Sequence, residues 1–150
     1  MTSRSRVWGL RLAAVILGLH VTSVICTIIQ YHPYEAVYFN RLAGKNLNEV
    51  FKNFIVDDWG LSYRDALNAI LAKDPRPTIF LAVEGMPGVT NSFLLPPKER
   101  QRLVYIKDLS RANYYIRPVR GLLAGEERLK EIYSLTVDGA KLSIVYRLHP

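Results

Sequence analysis

At 150 residues, with 49% hydrophobic and 22% charged side chains, the chain is expected to be ordered over most of its length and to hold one domain beyond any membrane span. Its formal charge of +7 is unevenly placed: Arg4, Arg6 and Arg11 precede the first acid, Glu35, leaving 17 basic against 13 acidic residues after them, a net of +4. That modest excess suits an anionic membrane surface, and without a basic run interleaved with aromatics, nucleic acid is not an expected partner.

The run Leu12–Ile29 contains no charged residue, and only His20, Thr22, Ser23 and Thr27 are polar. With Val7, Trp8 and Leu10 before it, the run reaches the roughly 20 apolar residues that a bilayer core requires of a helix. Trp8 and Tyr31 flank it, where amphipathic rings favour the headgroup region. Arg4, Arg6 and Arg11 hold the N-terminus in the cytoplasm by the positive-inside rule, which sends everything from Tyr31 onward to the periplasmic or extracellular side. Residues 1–30 are thus read as a cytoplasmic N-terminus and transmembrane helix, and residues 31–150 as an extracytoplasmic domain. The expected location is the inner membrane, single-pass. A cleaved signal peptide is the rival reading; Thr22, Ser23 and Thr27 form no convincing small-x-small site. Cys26, the single cysteine, excludes an intramolecular disulfide, and its neighbour Ile25 is too large for a lipidation signal.

His32-Pro33-Tyr34 opens an aromatic cluster continuing through Tyr38, Phe39 and Asn40. Pro33 ends the membrane helix, because the residue before a proline avoids the α region. After the turn-rich 41–49 stretch, Val50–Val56 reads as a short strand. Ser62 is the expected N-cap of an amphipathic helix, with Asp65 imitating a capping box and Ala66, Leu67, Ile70 and Leu71 forming its apolar stripe. That helix ends at Lys73–Asp74, before Pro75 and Pro77. Thr78–Val83 is a continuous apolar run and reads as a buried parallel strand. Leu103–Ile106 and Ala112–Ile116 are further strands. Glu131–Val137 and Lys141–Leu148 alternate in polarity around Asp138–Gly139, a type I′ hairpin signal. The fold class is α/β: one transmembrane helix, then a small mixed sheet that opens with a βαβ-like unit and ends in an antiparallel hairpin.

No catalytic pattern stands out. His20, His32 and His149 lie in separate settings without metal-ligand spacing, and neither metal nor cofactor is expected. The one dense constellation is Asp57, Asp58, Trp59, Gly60, Ser62, Tyr63 and Arg64, between the expected strand and helix, where α/β sheets bind ligands. Two readings are open. As an architectural hinge, Gly60 takes positive φ, Trp59 turns inward, Asp58 accepts backbone amides or Arg64, and the cluster is structural. As a ligand site, Trp59 is exposed and stacks on a sugar while the paired carboxylates hold hydroxyls or a cation. The hinge is the expected arrangement.

His32-Pro-Tyr-x-x-x-Tyr38-Phe-Asn40, a glycine-bearing loop, and then Asp58-Trp-Gly-x-Ser-Tyr-x-x-Ala66 resemble the tail of bacterial GT-C membrane glycosyltransferases, relatives of the dolichyl-phosphate-mannose–protein mannosyltransferases. In that family a last membrane helix leads into these motifs and a small extracytoplasmic domain. The specific motifs cover residues 32–66. The resemblance implies a domain that works beside a multi-span glycosyltransferase body using a polyprenyl-phosphate sugar. The family's catalytic acid lies in a first extracytoplasmic loop that this chain lacks, so no catalytic role passes to Asp57 or Asp58. The implied function is an accessory or C-terminal domain, not catalytic alone. The alternative is a membrane-anchored binding or scaffold protein unrelated to sugar transfer.

Overall fold

The computed structural model describes residues 3–119 and 128–149. It divides into two compact units, one running to Tyr38 and the other starting at Phe39.

The first unit is dominated by helix α1, Ser3–Tyr31. Its stretch Arg6–Tyr31 contains an 18-residue window of mean hydropathy 2.3 and is long and apolar enough to cross a membrane. The Thr22 and Thr27 hydroxyls each donate to the carbonyl one turn back, at 2.9 and 3.0 Å, so their polarity is absorbed within the helix. The helix stops two residues before Pro33, as the sequence predicts. A single 3-10 turn follows at Glu35–Val37.

The second unit is a mixed five-stranded sheet ordered β2-β1-β3-β5-β4, with β1 at Ile79–Val83, β2 at Leu103–Tyr105, β3 at Tyr114–Pro118, β4 at Lys130–Val137 and β5 at Ala140–Arg147. The apolar run of β1 pairs in parallel with both β2 and β3. The remaining pairs, β3–β5 and β5–β4, are antiparallel. This is the α/β architecture expected, with the antiparallel hairpin at its end. One face is covered by helix α3, Leu61–Lys73, whose Tyr63, Ala66, Leu67 and Ile70 pack with Ile79, Leu81, Tyr114, Ile116 and Val145 as the core. Burial of each large side chain in that stripe contributes about 1.5–3 kcal/mol. Helical turns α4, Pro87–Thr90, and α5, Pro97–Arg100, lie in the β1–β2 connection, each started by a proline in its first turn.

The expected strand at Val50–Val56 does not form. Its first residues close helix α2, Leu47–Val50, and the chain then runs in turns to Phe54. Asn46 is the cause: its side-chain oxygen accepts the Glu49 amide at 3.1 Å, while the Glu49 carboxylate accepts the Lys45 amide at 3.0 Å. This reciprocal capping outweighs the β-branched content of the segment. The parallel pairing therefore does not begin with a strand–helix–strand unit at residue 50; it is made by β1 with β2 and β3.

The Asp138–Gly139 turn has φ of 46° and 74°, the two positive values that a type I′ turn requires. A Cβ on Gly139 would meet nothing within 4 Å, so a substitution there tests backbone strain alone. Gly139→Val should lower stability by about 1 kcal/mol or more. A thermal midpoint identical to wild type would contradict it.

Candidate functional site

The Asp-Trp-Gly segment is a rigid turn, built differently from the sequence expectation. Ser62 is not the N-cap. Helix α3 begins two residues earlier than that cap implies, at Leu61, with Gly60 as its N-cap at φ 60°. The capping carboxylate belongs to Asp57, which accepts the Leu61 amide at 2.7 Å and the Ser62 amide at 3.1 Å. To reach back over the turn Asp57 itself adopts φ 58°, a conformation that Asp tolerates better than most residues. Asp58, expected to accept those amides, is exposed. Arg64 lies 3.4 Å from its neighbour Asp65 and does not pair with Asp57 or Asp58. Desolvation pushes the Asp57 carboxyl above its ordinary value, opposed by the amides of Ser62 and Leu61.

A second loop clamps this turn. Asn91 donates through one side-chain nitrogen to the carbonyls of both Trp59, at 3.0 Å, and Pro87, at 2.9 Å. Gly60 is pressed so closely on Pro87 that a Cβ would lie 2.4 Å from the proline Cβ. Gly88 is equally confined, 2.7 Å from the Val83 Cβ and 2.9 Å from the Tyr63 ring. Tyr63 is buried and donates its hydroxyl to the Glu84 carbonyl, pinning the start of α3 to the end of β1.

The clamp holds the Trp59 backbone but not its ring, which is 77% exposed. The expected inward turn of Trp59 is thus overturned. With its carbonyl fixed by Asn91 and Gly60 seated against Pro87, the side chain leaves the turn on the solvent side. Met86, Phe93 and Leu94, on the clamping loop and the 3-10 turn that follows it, are also mostly exposed, and Arg100 stands 5.1 Å over the Phe93 ring.

Beside the turn, at the carboxyl end of β1, Glu84 accepts the Tyr115 hydroxyl at 2.9 Å and lies 3.4 Å from the buried Arg117 guanidinium. Sequence reading missed this pair; its only signal was an acid at the end of an apolar strand. A separate cavity of about 510 Å³ is lined by Phe51, Phe54, Ile55, Val56 and Val119, with Asn48 and Lys141 also on its wall.

The residues that follow helix α1 divide between the units. In the first, His32 Nδ1 lies 2.6 Å from the Glu35 carboxylate, Tyr31 and Tyr38 meet edge to face at 5.2 Å, and Tyr34 is buried. His32 and the backbone at Glu35 hold the Glu35 carboxyl below its ordinary range, the backbone contributing most. In the second, Asn40 caps its own turn by accepting the Leu42 amide at 3.0 Å. Pro33 follows His32 in a cis peptide. These residues form local turn structure.

No protein-family model, curated protein or solved structure matches the chain. The site is a rigid turn that presents an aromatic ring, with the Asp57 carboxylate engaged as a helix cap.

Proposed function

We propose that this chain is a membrane-anchored accessory or C-terminal domain of a GT-C type glycosyltransferase that uses a polyprenyl-phosphate sugar donor, and that it is not catalytic alone. The observation that carries the reading is Trp59: a turn fixed by Asp57, Gly60 and Asn91 exists to hold an exposed indole. Such a ring is a docking point, since aromatic anchors dominate contact energetics when a partner desolvates them. The partner proposed is the outer face of a multi-span glycosyltransferase body, consistent with the HPY…YFN and DWG-x-SY resemblance. Helix α1 would cross the inner membrane with the N-terminus in the cytoplasm, placing the second unit outside.

Two measurements test this. Trp59→Ala should leave the unfolding free energy within about 0.5 kcal/mol of wild type, as a surface substitution does, so that the thermal midpoint barely moves. It should also weaken co-purification with a co-expressed GT-C body by at least about tenfold, the loss typical of an interface anchor. Equal co-purification of variant and wild type, or none by either, sinks the docking reading. A periplasm-active reporter fused after Pro150 should give signal and a cytoplasm-only reporter none; the reverse pattern overturns the topology.

The second reading, an anchored binding or scaffold protein unrelated to sugar transfer, is favoured by the cavity beside Phe51, Phe54 and Val119, which offers an apolar ligand a site independent of Trp59.

A further inference from the structure

At the C-terminal end of α3, the opposite end of that helix from the Asp-Trp-Gly turn, lies an open groove of about 600 Å³. Four cations reach it: Lys73, Arg76, Lys130 and Arg147. Its two carboxylates already have partners. Asp74 accepts Arg76 Nε at 2.9 Å and the Tyr114 hydroxyl at 2.9 Å, and Glu131 accepts Lys141 Nζ at 2.8 Å. Lys73, Lys130 and Arg147 are left with no carboxylate partner among the described residues. Lys73 donates to the Ile132 carbonyl at 2.9 Å, and Arg147 makes a long contact, 3.3 Å, to the His149 carbonyl.

Two features show that these cations are gathered by the fold. Lys130 and Arg147 are direct cross-strand partners on β4 and β5, and like charges in that relation are destabilising unless something lies between them. The β4–β5 register also breaks between Glu131 and Tyr133, and the Ile132 carbonyl at that irregularity is the one that draws in Lys73. The carbonyls at the end of α3 oppose an anion with only about half a unit charge, against three whole positive ones. A ligand with several charged oxygens would answer the arginine fork and both ammonium groups together. A neutral sugar or an apolar ligand would leave the opposed cations unrelieved.

We propose that this groove binds a phosphate-bearing group, supplied either by a soluble phosphate compound or by an anionic lipid headgroup. The proposal does not depend on the glycosyltransferase reading.

The test uses the full chain in phosphatidylcholine nanodiscs, titrated with inorganic pyrophosphate while the thermal midpoint is followed. Wild type should show a saturable rise. The Lys130→Gln/Arg147→Gln double variant should melt at or above the wild-type midpoint without ligand, because its like-charge pair is gone, yet bind pyrophosphate at least about tenfold more weakly. Lys52→Gln/Lys98→Gln removes the same charge elsewhere on the surface and should keep the wild-type response. In a second arm, phosphatidylglycerol replaces phosphatidylcholine and pyrophosphate is omitted. A rise that depends on Lys130 and Arg147 there, without a pyrophosphate response, identifies the lipid headgroup as the source. No shift in either arm, or an equal loss in the Lys52/Lys98 control, overturns the proposal.

Discussion

Gly60→Val is expected to destabilise the 39–150 unit by about 3 kcal/mol or more, measured as a fall in the urea midpoint at unchanged slope. Two costs combine. Gly60 sits at φ 60°, where a β-branched residue is strained by roughly 1–3 kcal/mol. The new Cβ would also lie 2.4 Å from the Pro87 Cβ, and the proline cannot retreat easily because its carbonyl is held by Asn91. Overpacking of this kind adds about 1–3 kcal/mol. Gly85→Ala provides the comparison. Its φ of 86° carries similar backbone strain, but the nearest atom, Pro87 Cδ, is 3.5 Å away. Its cost should stay near 1–2 kcal/mol. If the two variants lose the same stability, Gly60 is not the contact that locks the turn to α4.

The elements that the sequence discloses are those whose signals are local. The apolar stripe of α3, the continuous run of β1 and the Asp138–Gly139 turn each lie within a few residues, and each forms where its pattern places it. Segment 50–56 shows the limit. Its apolar content suggests a strand, but the deciding residues are Asn46 and Lys45 upstream, whose bonds with Glu49 start a helical turn first. The candidate site was legible as a place and not as a geometry. Two adjacent aspartates are interchangeable in sequence; only the positive φ of Asp57 determines that its carboxylate caps α3. The direction of Trp59 depends on Asn91, 32 residues later, which fixes its carbonyl and leaves the indole outside. The anion groove was illegible for the same reason, since Lys73, Lys130 and Arg147 come together only when α3 is laid on the sheet beside the β4–β5 pair.

Asp74→Asn should give the other large effect, about 2–4 kcal/mol at neutral pH. The Asp74 carboxylate is almost wholly buried and accepts the Arg76 amide, the Arg76 guanidinium and the Tyr114 hydroxyl, while its carbonyl accepts Arg102. An asparagine retains one acceptor oxygen and turns an NH₂ group toward the guanidinium, so the Arg76 fork loses its counter-charge. The pH dependence identifies the cause. Arg76 first, and Tyr114 after it, hold the Asp74 carboxyl well below the usual carboxylate range. The unfolded chain takes up this proton near pH 4 while the folded chain resists, so the contribution is fully present above about pH 4 and drains away as pH falls below it. The gap between wild type and Asp74→Asn should therefore narrow on acidification from pH 7 to pH 3. Asp57 has the opposite sign: burial raises its carboxyl, so its contribution is largest in acid and is lost as pH rises through the folded value. The gap between wild type and Asp57→Asn should accordingly widen in favour of wild type over the same range. Melting both variants across pH separates the two aspartates; curves that run parallel to wild type would mean that neither proton is linked to folding, and that Asp74 acts through shape and not through its charge.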